Sequence, residues 1–95
     1  MSKIYLVVTV DIAPGARDQF LHKLTSHVEI MKNEPGCELV EVLIDDQSPD
    51  QILLWEVWSD RPSWDAHMVN ANSAAWQKNI GDLVRGERIQ ILHQA

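Results

Sequence analysis

Lys3 to Ile12 is a dense run of aliphatic and β-branched residues, which predicts a strand, and Pro14-Gly15 supplies the turn that ends it. From Ala16 the apolar period lengthens. Phe20, Leu24, Val28 and Met31 fall on one helical face with Leu21 beside it, until Glu34-Pro35-Gly36 breaks the helix. Cys37 to Asp45 returns to alternation, with Val40, Val42 and Ile44 on one side and Leu39, Glu41 and Leu43 on the other. A polar turn, Asp45 to Asp50, leads into a third strand over Gln51 to Ser59. Asp60 then stands where an N-cap belongs, with Pro62 tolerated in the first helical turn. Trp64, His67, Met68 and Ala71 keep the i, i+3, i+4, i+7 spacing of a buried stripe. The stretch Asn70 to Trp76 weakens or kinks this helix, which is expected to resume through Trp76, Ile80 and Leu83 and to loosen at Gly81 and Gly86. Arg88 to His93 reads as the last strand.

The predicted order is therefore β-α-β-β-α-β, an α+β, ferredoxin-like arrangement in one domain over residues 1–95. Two helices should cover one face of a four-stranded antiparallel sheet. The other face should be polar if nothing covers it. It is not. Ile4, Leu6, Val8 and Val10 alternate with Tyr5 and Val7, while Leu53, Trp55 and Val57 alternate with Leu54 and Trp58. An apolar second face requires a cover, and the expected cover is another copy of the chain, giving a homodimer joined sheet to sheet. Parity sends Trp55 and Trp58 to opposite faces without saying which goes where.

Composition narrows the function classes. A net charge of −6, with eight scattered Lys and Arg, excludes a nucleic-acid grip or an anionic membrane surface, both of which reward clustered cations. A single cysteine, Cys37, cannot form an internal disulfide and fits a reducing compartment. The N-terminal apolar run is interrupted by Thr9 and Asp11 and reads as a strand, not a signal peptide; the expected location is the cytoplasm. Cys37 has no evident activating base in sequence and is expected to pack. His22 and His27 miss a common helical face, no His/Cys spacing suits a metal, and no phosphate or dinucleotide fingerprint occurs.

Three segments carry a resemblance. They are Glu34-Pro35-Gly36-Cys37 leading into strand two, Leu54 to Asp60 (LWEVWSD) at the end of strand three, and the helix after it with His67. In order and spacing they resemble the antibiotic biosynthesis monooxygenase family of small dimeric ferredoxin-like proteins, over nearly the whole chain. The resemblance implies a cavity between sheet and helices. It also implies oxygenation of hydroquinone-like or polycyclic aromatic substrates without metal, flavin or haem. Other members are isomerases of small sugar-like molecules. A branch that degrades haem matches least, because Val10 stands where it has Asn and His67 where it has Trp. Many members carry a second His shortly after the first, whereas this chain has Asn72 to Trp76 there without one.

His67 is the candidate catalytic residue, because an imidazole titrates near neutrality and suits proton transfer. The alternative is a buried histidine with one hydrogen-bond partner. Trp58, Trp64 and Trp76 are candidate walls for a small apolar or aromatic molecule, with plain core the competing reading. His27, on the buried stripe of the first helix, is a candidate second polar group that could face His67. Glu56 shares a face with Trp58 and needs a partner or a raised pKa in so apolar a strand, a structural hydrogen bond being the preferred reading. His22 reads as solvated and His93 as surface or interface. Three functions follow: a cofactor-independent monooxygenase, an isomerase using the same His67, or a non-catalytic dimeric binding protein.

Overall fold

Strand β1 (Ile4–Ile12) buries every second side chain, from Ile4 to Ile12, against the helices, as its alternating pattern requires. The computed structural model describes residues 2–95. Helix α1 (Arg17–Met31) follows and buries Phe20, Leu24, His27, Val28 and Met31. Strands β2 (Cys37–Ile44) and β3 (Gln51–Trp58) form a hairpin across the Asp45–Asp50 turn. Helices α2 (Arg61–Val69) and α3 (Ala71–Ile80) come next, and β4 (Val84–Leu92) closes the chain. The sheet order is β2-β3-β1-β4, with every pairing antiparallel. This is the ferredoxin-like α+β fold expected from the sequence.

Register decides the faces. Ile4, Leu6, Val8 and Val10 pair with Trp58, Glu56, Leu54 and Ile52, and all eight point toward the helices. Trp58 is thus on the helical side, and Trp55, paired with Val7, is on the bare side. The core between sheet and helices includes Ile4, Leu6, Phe20, Leu24, Ile52 and Trp58, each at most 1 % exposed. Each such side chain contributes on the order of 1.5–3 kcal/mol by leaving water.

Two expectations are corrected. The second helix does not resume after a kink: it ends at Val69, and Asn70, in extended backbone, both closes α2 and caps α3 by accepting from the Ser73 amide at 2.8 Å. Ala71 therefore opens a new helix and is exposed, and Met68 is 45 % exposed. The last strand begins at Val84, not Arg88, so Gly86 and Glu87 are strand residues, with Glu87 opposite Val10. The register slips between Asp11 and Ile12, which lets the strand start early. Asp60 caps α2 as predicted, its carboxylate accepting from the Ser63 amide at 2.9 Å.

Candidate functional site

Helix α1 ends in a tight turn that places Glu34. The Glu34 amide donates to the Met31 carbonyl at 3.0 Å, and the Cys37 amide donates to the Glu34 carbonyl at 3.1 Å. Gly36 between them has φ +82°, where a side chain is strained, and a Cβ there would lie 2.2 Å from Ser63 Oγ. The missing side chain lets the turn lie against the start of α2. Glu34 thereby comes within reach of His67, one turn before the end of that helix.

The contact is direct. His67 Nδ1 lies 2.8 Å from Glu34 Oε1, with side chains 8 % and 9 % exposed. Asn70 Nδ2 donates to the same carboxylate oxygen. Ser73 Oγ donates to the His67 carbonyl, and Asn70 Oδ1 accepts from the Ser73 amide. Glu34, His67, Asn70 and Ser73 are thus tied into one network where α2 meets α3. Among the described residues Glu34 Oε2 is the buried side-chain polar atom left without a hydrogen bond. The tie at Nδ1 fixes the imidazole tautomer with its proton toward Glu34. Among the described residues Nε2 has no hydrogen-bond partner, and the His67 side chain lines a cavity.

That cavity, about 90 Å³, lies between the sheet and the helices. Leu24 and Met31 from α1 and Val8, Leu54 and Ile89 from the sheet give it apolar walls. Trp64 and Trp76 add flat aromatic surface, and Arg61 lies over the Trp64 ring at 5.0 Å. His27 lines it from α1, stacked face to face on Trp76 with centroids 4.3 Å apart and planes 5° from parallel. It makes no hydrogen bond within the protein. Burial, reinforced by the nearby His67, lowers its pKa to about 4. Glu56 also faces the cavity and accepts from Trp58 Nε1 at 2.9 Å. Burial raises the Glu56 pKa, although the Trp58 bond and the neighbouring His67 oppose the shift.

Of the residues singled out in the sequence, His67, Trp64, Trp76, His27 and Glu56 converge on this one space. Trp58 stands behind it, fully buried, bonded to Glu56 and packed on His67 with ring centroids 4.9 Å apart. Its place is to support two lining residues, not to form the wall. His22 and His93 are exposed, as anticipated. Cys37 is half-buried, and burial pushes its thiol up to about 11. Sequence reasoning missed Glu34 as a site residue: its motif was read as a helix stop and as part of the family resemblance, and no role was given to its carboxylate. It also missed Glu87, which a correct start for β4 would have set on the inward face opposite Val10. Among the described residues no three His, Cys, Asp or Glu side chains are grouped to hold a metal.

The sequence matches the antibiotic biosynthesis monooxygenase family over residues 3–79. The chain belongs to that family. Solved structures agree in fold. PA3566 from Pseudomonas aeruginosa is 19 % identical with a TM-score of 0.90, covering 100 % of this chain and 96 % of its own. A conserved protein from Methanosarcina mazei Go1 is 21 % identical with a TM-score of 0.90, covering 100 % and 95 %. A protein described as an antibiotic biosynthesis monooxygenase is 22 % identical with a TM-score of 0.88, covering 97 % and 98 %. At such identities the likeness speaks for the fold alone. No curated protein matches the sequence. Among the described residues no helix is long and apolar enough to cross a membrane.

Proposed function

We propose that this family member binds a small hydroxylated aromatic ring in its cavity and oxygenates it without a resident cofactor, with His67 as the base. The observation that carries the reading is the Glu34–His67 pair. Its 2.8 Å contact orients an imidazole that lines a space flanked by Trp64 and Trp76. In the proposed reaction His67 Nε2 takes a phenolic proton, and the electron-rich anion reduces molecular oxygen. One oxygen atom ends on the ring and the other leaves as water with two hydrogens taken from the substrate, whose ring is oxidised to the quinone level and so supplies all the electrons. The protein orients the ring, excludes water and moves the proton. Oxygen uptake with a panel of hydroquinones tests this directly: one O2 consumed per ring, with a product that has gained one oxygen and reached the quinone level, supports it, and binding without uptake rejects it.

The polar share of the lining, Glu56, Glu87, Ser73 and Gln77, favours a second reading, an isomerase that uses His67 to shuttle a proton without oxygen. Anaerobic conversion of a hydroxylated substrate would select it. The working unit in either reading is a homodimer. The bare face of the sheet carries Tyr5 stacked on Trp55 at 5.9 Å, with Val57 beside them and Leu39, Leu43 and Leu92 between 37 % and 46 % exposed. Such an apolar face fits a second copy of itself. Sedimentation as a single chain at micromolar concentration would reject the dimer.

A further inference from the structure

The cavity's charge is as informative as its shape. No Lys or Arg is among the residues that line it. Two carboxyl groups are: Glu56 enters from β3 opposite Leu6, and Glu87 from β4 opposite Val10, on opposite sides of β1 and four residues apart along it. Glu56 is 4 % exposed, and its one hydrogen bond within the protein uses Oε1, leaving Oε2 for a guest. Glu87 is exposed at the mouth of the cavity. His27, 7 % exposed and without a hydrogen bond in the protein, also faces the cavity and offers a donor or an acceptor. Its lowered pKa keeps it uncharged at neutral pH, so it supplies no counterion for an anion. The start of α3 lies on the same wall, but its Ser73 amide is already committed to Asn70.

We propose that the cavity selects its guest by charge, taking a phenolic ring that carries an amine and excluding one that carries a carboxylate or phosphate. This rests on the reading of the cavity as an aromatic-binding site and names the class of substrate. The phenolic hydroxyl goes to His67, the ring lies between the aromatic walls, and the ammonium group goes to the Glu87 carboxyl at the mouth, with the Glu56 carboxyl adding to the negative field of the same wall. An anion in the same place would leave water and its counterions for a low-dielectric space lined by carboxyls, with no cation to receive it.

Three phenols of nearly one shape separate the possibilities: tyramine (cationic), 4-ethylphenol (neutral) and 4-hydroxyphenylacetate (anionic). Titration calorimetry on the intact protein at pH 7.5 should show tyramine binding at least about tenfold more tightly than the anion, with the neutral phenol between them. Equal affinities, or a preference for the anion, overturn the charge selection while leaving the aromatic site standing. Binding by none of the three overturns both. Glu87→Gln, exposed and free of structural bonds, should shrink the tyramine preference at least about threefold. Glu56→Gln should also shrink it while keeping an acceptor for Trp58. A preference unchanged in both variants removes the carboxyls from the explanation and overturns the proposal.

Discussion

His27 and His67 face the same cavity from different helices, and each is 7 % exposed, yet only His67 has a carboxylate partner. His67 is held at Nδ1 by a buried carboxylate, which orients the ring and stabilises positive charge when Nε2 takes a proton. His27 has no such partner. It lies flat on Trp76, and burial beside another imidazole lowers its pKa to about 4. At neutral pH it is an uncharged polar wall. Burial alone therefore makes an imidazole a poor base. The acidic neighbour makes the difference, and that neighbour comes from a turn distant in sequence.

The largest test of this contrast is removal of each imidazole. His67→Ala should lower kcat for oxygen uptake by about two to four powers of ten, with the fold retained by circular dichroism. A drop below threefold would remove His67 from the chemistry. Next comes the partner. Glu34→Gln keeps the shape but loses the charge, and should cost about ten- to a hundredfold in kcat with a smaller change in KM. If KM moves and kcat does not, Glu34 shapes the pocket and does not orient a base.

Gly36→Ala attacks the turn that delivers Glu34. It combines a strained φ of +82° with a Cβ 2.2 Å from Ser63 Oγ, and should destabilise the protein by about 3 kcal/mol in urea titration. Lost activity should accompany it, because the turn carries His67's partner while leaving His27 in place.

The smallest effect belongs to His27. Its folded pKa, about 4, lies below the 6.5 of an ordinary histidine, so between those values the unfolded chain binds the extra proton. Its contribution to stability is complete above about pH 6.5 and is lost as pH falls toward 4, amounting to about 2 kcal/mol by pH 5. Glu56 works the other way: its pKa is raised by burial, so its penalty grows as pH rises through the folded value. His27→Phe should flatten the acid-side loss and change kcat by less than about threefold. An unaltered pH–stability profile would show that His27 is not the group responsible.

Much of this was legible in the chain. The period-two runs of β1 and β3 and the Phe20–Leu24–Val28–Met31 stripe fix the layers, because side-chain direction follows from backbone period. Helical spacing and the family resemblance named His27, Trp64, His67 and Trp76 as candidates for one cavity, and strand parity tied Glu56 to the face of Trp58. Which face of the sheet held Trp58 did not, since both faces are apolar and parity only separates neighbours. The Glu34–His67 contact was hidden because it joins residues 33 positions apart through a turn. The break at Asn70 was read as a weakened helix, because a residue that caps one helix while ending another has no periodic signature.

The four tryptophans occupy four distinct surroundings, and this gives the protein built-in optical reporters. The indole of Trp55, stacked on Tyr5 over the bare sheet, should change its emission when that face is covered. Trp76, against His27 on the cavity wall, should respond when a guest enters, and Trp64 beneath Arg61 to a lesser degree. Trp58, sealed and bonded to Glu56, should hold a constant signal when the bare face is covered. Variants that keep one indole at a time would let assembly and occupancy be followed separately in a single unlabelled sample.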